Sequence, residues 1–198
     1  APSLGVFMDS PPRYTDDQSL VVASGAQTSD DMFVQLFQPE LVTRLVGKET
    51  PIASIQDSVR GKSVVHFSSK LPLHEKNPMD SVLPLAPGKD DGGKKVTADK
   101  LFGLSLPSDL MVWSGSSIYG KDIQGNAVKV FSCGLNYAGV RNVLMTLWSE
   151  PSGDRQAELV DFYKSKQAGL NQAQSLRRAQ MLALSKDPSA KSWAAFQL

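Results

Sequence analysis

Thiol and imidazole groups are scarce in this chain, which holds one cysteine, Cys133, and two histidines, His66 and His74. A thiol attacks as its thiolate, and it needs a neighbouring base, a cation or a helix N-terminus to lower its pKa. Cys133 stands in the middle of a helical pattern with no histidine near it in sequence, so it reads as an exposed residue neutral to packing. His66 lies inside the apolar run Val64-Val65-His66-Phe67, where an imidazole is expected as a core or near-surface residue with its ring nitrogens on backbone partners. His74 falls in the polar stretch beyond that run. One cysteine and two histidines cannot complete a closed zinc site. The stretch Gly88-Lys89-Asp90-Asp91-Gly92-Gly93-Lys94-Lys95 has neither calcium-loop ligand spacing nor the glycine–lysine–hydroxyl order of a phosphate loop, so it reads as a solvated loop. No metal and no cofactor are expected. Gly115-Ser116-Ser117-Ile118-Tyr119-Gly120 lacks the Gly-x-Ser-x-Gly spacing of a nucleophile elbow.

Other function classes fall away on composition. Twenty-one Lys and Arg against 20 Asp and Glu leave a net charge of +1, so no overall field draws the protein to nucleic acid or to an anionic membrane. Neither partner is expected; binding of either would need a local patch. No apolar run approaches the roughly 18 residues of a membrane span, and the N-terminus lacks a basic segment ahead of an apolar one. With a single cysteine, the chain is expected to be cytoplasmic or otherwise intracellular. Its 198 residues suffice for one substantial core, and one domain over 1–198 is expected.

The elements that must carry these residues alternate between short apolar runs and capped helical segments, which is the pattern of an α/β domain. Near-continuous apolar stretches at 19–23, 63–67, 110–114 and 142–147 suit strands covered on both faces. Residues 4–8 and 194–198 are candidate edge strands. Pro39, the apolar Leu41, Val42, Leu45 and Val46, and Gly47 predict a short helix. Ser54 with Gly61, and Thr97 with Gly103, bracket two more, each opened by a capping hydroxyl. A longer helix over 126–138 buries Ala127, Val130, Phe131, Gly134, Leu135 and Ala138. Near the C-terminus a helix over 154–168 ends at Gly169, and Asn171 with Gln174 opens another that runs to about 185. That last helix is expected to face the sheet through Ala173, Leu176, Ala179 and Ala183. Residues 71–95 are expected to form the least regular stretch.

From Ser63 onward the order of motifs resembles the CHAT family, caspase-like domains related to caspases and separases that typically follow tetratricopeptide repeats. Val64-Val65-His66-Phe67-Ser68-Ser69-Lys70 resembles the family strand ending in His-Phe-Ala-Thr-His-Gly. Val96-Thr97-Ala98-Asp99-Lys100-Leu101-Phe102-Gly103-Leu104 is similar to its Leu-Thr-Ala-Glu-Glu-Ile-Phe-Gly-Leu segment, and Leu110-Met111-Val112-Trp113-Ser114-Gly115-Ser116 to the strand leading into Ser-Ala-Cys. Tyr137-Ala138-Gly139-Val140-Arg141, the alanine-rich helix after Ala173 and the closing Trp193-Ala194-Ala195-Phe196 complete the series.

The resemblance implies a caspase-like, doubly wound, mostly parallel sheet with helices on both faces, in which strands 63–67 and 110–114 are adjacent and parallel. It also implies a departure at the catalytic positions. Lys70 stands where the family has its second histidine and Ser116, after Gly115, where it has its cysteine; Leu71 replaces the glycine after that histidine, with a side chain able to crowd a backbone that would otherwise approach substrate. A cysteine–histidine mechanism is therefore absent. Serine with a neutral lysine is a known hydrolytic pair, but Lys70 would need its pKa lowered from about 10.4 toward 7, and Ser68, Ser69, Leu71 and Pro72 do not ensure that. The expectation is an inactive, pseudo-peptidase domain that binds a protein partner or the repeat region of its own parent chain. The alternative is a hydrolase using Ser116 and Lys70.

Overall fold

Runs such as Leu20-Val21-Val22-Ala23 and Leu110-Met111-Val112-Trp113 are apolar at every position, so a sheet made of them must be covered on both sides. The computed structural model describes residues 19–24, 32–46, 52–60, 62–68, 71, 73–74, 76–83, 97–114, 126–147 and 152–198. Six strands form one sheet: β1 (Leu20–Ser24), β2 (Val42–Val46), β3 (Lys62–Phe67), β4 (Ser108–Trp113), β5 (Val140–Thr146) and β6 (Phe196–Gln197). Their spatial order is β2-β1-β3-β4-β5-β6, with the first five parallel and β6 antiparallel to β5. As expected, β3 and β4 are neighbours, with Val64 opposite Leu110 and Phe67 opposite Trp113. The direction of winding reverses between β1 and β3, and crevices in such sheets open at the carboxyl ends beside that reversal.

Strand alternation divides the core in two. Val21, Val65, Met111 and Met145 meet Ile55 and Val59 from α1 (Ile52–Val59) and Phe131 and Leu135 from α2 (Asn126–Tyr137). On the other side Val22, Val64, Leu110 and Leu144 meet Phe33, Leu159, Phe162 and Tyr163, the last three from α3 (Ser152–Gln167). Leu176 and Ala179 of α4 (Gln172–Lys186) join the same cluster. A one-turn helix α5 (Ala190–Trp193), not anticipated from sequence, leads into β6. Among the described residues no helix is long and apolar enough to cross a membrane.

Local chemistry sets the ends of the C-terminal helices. Gly169 takes φ 90°, its N–H donates to Lys166 O, and Leu170 N–H donates to Ser165 O, which closes α3. Asn171 Oδ1 accepts from Gln174 N–H at 2.9 Å, and Gln174 Oε1 accepts from Asn171 N–H at 3.2 Å. This is the reciprocal cap that the sequence predicts for α4. Close approach explains Gly134, since a Cβ there would lie 3.1 Å from Leu101 Cβ.

Several expectations need correction. Residues 39–46 are not a helix: a 3-10 turn over Pro39–Leu41 runs straight into β2. The paired apolar residues fit either element locally, and the open edge of β1, which aligns Leu20 with Val42 and Ser24 with Val46, makes the choice. Ser54 falls inside α1 rather than capping it. Residues Ala98–Gly103 are 3-10 rather than α-helix, and the Thr97 side chain makes no cap; Thr97 instead bridges Val82, and Ala98 N–H donates to Ser81 O. On α4, Ala173 is exposed and Ser175 is buried in its place, because α4 lies chiefly along α3 and turns its inner face toward that helix as well as the sheet. The candidate strand at 4–8, Gly47, Gly61 and the loop at 88–95 lie outside the described residues.

Leu176 is 8% exposed. Leu176→Asp removes apolar burial and inserts an unpaired charge, so it is expected to cost at least about 2 kcal/mol. Chemical denaturation of the variant beside the parent protein measures this, and an unchanged midpoint would show the packing of α4 to be wrong.

Candidate active-site region

The carboxyl ends of β3 and β4 are held side by side by their own ladder. Ser114 N–H donates to Phe67 O at 3.0 Å, and on the other edge of β3 Ser68 N–H donates to Ala23 O of β1 at 3.0 Å. Pairing thus persists to Ser114, two residues before Ser116. Lys70, Gly115 and Ser116 themselves lie outside the described residues. On one side of this end, Phe67 stacks on Trp113 with ring centroids 4.2 Å apart, and Phe131 meets Trp113 edge-on. Leu71 belongs to that cluster and is 1% exposed, its side chain taken up by the core. The gain from burying an isobutyl group explains this placement.

His66 occupies the other side and is fully buried. Its ring stacks on Phe33 at 4.2 Å and 13°. Nδ1 lies 2.7 Å from Tyr163 Oη, and Nε2 lies 2.8 Å from Ser114 Oγ. The ring nitrogens therefore meet side-chain hydroxyls, not the backbone groups expected. A hydroxyl both donates and accepts, so either neutral tautomer is satisfied, with one nitrogen donating and the other accepting. Burial lowers the His66 pKa to about 3 and raises that of Tyr163 well above the usual phenol range, so both stay neutral at physiological pH.

Serine, histidine and a third group in a hydrogen-bonded row share the connectivity of a nucleophile, base and orienting residue. The electrostatics differ. The third group is a neutral phenol instead of a carboxylate, and an imidazole with a pKa near 3 is a weak base at neutral pH. What the row does is tie β3, the end of β4 and α3 together. Sequence reasoning missed Tyr163, although a buried tyrosine hydroxyl usually requires a partner and so offered a signal.

The other nominated residues do not gather here. Exposed His74 organises its own turn: its N–H donates to Ser81 Oγ at 2.9 Å and its Nδ1 accepts from Asn77 N–H at 3.0 Å. Cys133 is exposed on α2, opposite the buried stripe, as expected. A second unforeseen group is Glu158 of α3, which is 3% exposed with neither carboxylate oxygen hydrogen-bonded. Burial, with Asp161 adding to it, pushes its pKa up to about 8.

A five-strand parallel sheet with one antiparallel edge strand, helices on both faces and paired β3 and β4 ends define a caspase-like α/β domain. The family model of the CHAT domain matches residues 13–198, so the chain belongs to the CHAT family, which is related to cysteine peptidases. No curated protein matches it.

Two stability measurements follow from the buried groups. His66 has a folded pKa below its ordinary 6.5, so the unfolded chain binds the proton more readily and stability is lost as pH falls from about 6.5 to about 3. Glu158 has a folded pKa above its ordinary 4.5, so stability is lost as pH rises from about 4.5 to about 8. Between 4.5 and 6.5 the two slopes oppose each other, and denaturation midpoints are expected to be highest there. Glu158→Gln should flatten the alkaline limb and leave the acid limb in place; an unchanged alkaline limb would rule Glu158 out. Tyr163→Phe strips one His66 nitrogen of its partner and should cost about 1–3 kcal/mol, read from the same denaturation curves.

Proposed function

We propose that this CHAT domain is catalytically inactive and acts by binding, either to another protein or to a repeat region of its own parent chain. What carries the reading is the sequence at the two positions that the motif resemblance aligns with the family's catalytic histidine and cysteine, Lys70 and Ser116, in a chain that the CHAT model matches over residues 13–198. A serine hydroxyl ionises far less readily than a thiol and must be given a base. The two described histidines do not favour that role. His66 is buried, neutral and already engaged by Tyr163 and Ser114, while His74 is tied into its own turn. The burial of Leu71 adds support, because a side chain fixed in the core replaces the bare backbone that a glycine would offer there. Fold does not bring activity with it; the site does.

The purified protein, treated with a broad serine-reactive fluorophosphonate and mapped by mass spectrometry, is expected to show no modification at Ser116. Ser116→Ala and Lys70→Ala serve as controls. Stoichiometric labelling of Ser116 that vanishes in Lys70→Ala would overturn the proposal and establish the Ser116–Lys70 hydrolase instead.

A further inference from the structure

The outward face of α4 carries basic side chains on a helix that supplies no acidic partner. Gln172–Lys186 contains no aspartate or glutamate. Gln174, Arg177, Arg178, Met181, Leu182 and Ser185 share one exposed arc on the side turned away from Ser175, Leu176 and Ala179. The positions three and four residues from Arg177 and Arg178 are all uncharged, so no neighbour along the helix pairs with either guanidinium. Lys186 differs, because its Nζ reaches Asp161 of α3 at 3.7 Å. One turn beyond the arginines, Met181 is 56% exposed and Leu182 is 39% exposed. Two cations without an ion pair among the described residues, beside two exposed apolar side chains, form a mixed patch on a helix whose start is fixed by its reciprocal cap.

We propose that this face, through Arg177, Arg178, Met181 and Leu182, docks an amphipathic helix that carries carboxylates beside an apolar stripe. The proposal deepens the binding role given above and rests on it. Charge complementarity selects the occupant: a guanidinium fork matches carboxylate geometry, and flanking opposite charges set orientation when an apolar seam closes between helices. Methionine adapts to an incoming surface because its side chain is unbranched and polarizable. A membrane surface fits less well, since the arc carries no aromatic residue and its cations sit in one turn instead of along a polar face. A nucleic acid fits less well too, because affinity for a polyanion grows with the number of phosphates neutralised, and the chain's net charge is only +1. The capped helix is already ordered, so docking loses little conformational entropy on this side.

The test is a titration of isotope-labelled full chain with a three-heptad peptide repeating Leu-Glu-Glu-Leu-Ala-Ala-Glu, followed by amide chemical shifts. Shifts confined to the outer face of α4 are expected. Arg177→Gln with Arg178→Gln keeps side-chain length and removes charge, and should weaken binding at least about tenfold; Met181→Ser with Leu182→Ser should weaken it comparably. All four positions are exposed, and unchanged thermal melts confirm that the variants remain folded. Full affinity in both double variants would overturn the proposal. So would absence of peptide binding, or a preference for phosphatidylserine-containing vesicles or a polyuridine oligonucleotide. None of these substitutions touches Ser116 or Lys70, so a failure here is separate from the fluorophosphonate result that decides catalytic inactivity.

Discussion

Parallel strands leave no face for water, and that requirement shapes the rest of this molecule. β1, β3 and β4 are apolar on both sides, so α1 and α2 must cover one face and α3 with α4 the other. A polar side chain enclosed on those strands is stabilised when it finds its hydrogen bonds inside. Ser63 and Ser19 do so at the amino ends, where Ser63 Oγ donates to Ser19 O at 3.0 Å. His66 does so at the carboxyl end, between Tyr163 and Ser114.

The enclosure of His66 has a chemical result. An imidazole that is hydrogen-bonded on both nitrogens, stacked on Phe33 and shut away from solvent is held neutral, and it serves the structure as a cross-brace. The brace reaches Ser114 at the end of β4, two residues before Ser116 in the chain. Thus backbone pairing and the His66 brace align the ends of β3 and β4 without calling on an ionised side chain. Alignment and reactivity are separable because backbone pairing and packing set the first, whereas the second depends on a few ionisable side chains.

α3 brings together opposing electrostatic demands. Tyr163 meets His66 and remains a phenol, while Glu158, with neither oxygen hydrogen-bonded, resists ionisation. α4 shields part of this helix and balances one of its charges through Lys186 and Asp161. The cations at 177 and 178 lie on the far, exposed side. Inner and outer faces of the same hairpin therefore follow different rules, since desolvation governs the one and solvation the other.

Much of this was legible in the chain itself wherever the cause is local. Asn171 and Gln174 cap each other within one turn, Gly169 supplies the positive φ that ends α3, and the runs around Val64 and Leu110 are too apolar to be anything but enclosed strands. The order of motifs placed β3 beside β4 and pointed to the family. Residues 42–46 were not legible, because paired apolar residues suit a helix as well as a strand until the edge of β1 offers hydrogen bonds. Nor was the fate of His66: its partners stand 48 and 97 residues away, and nothing in Val64-Val65-His66-Phe67 names them. The inner face of α4 was misjudged at Ala173 for the same reason, since α3 as well as the sheet decides which side is covered. Periodicity, capping and backbone φ act over a few residues and are written in sequence, whereas strand partners, burial of a titratable group and the choice of helix face depend on surfaces that exist only after distant segments have packed.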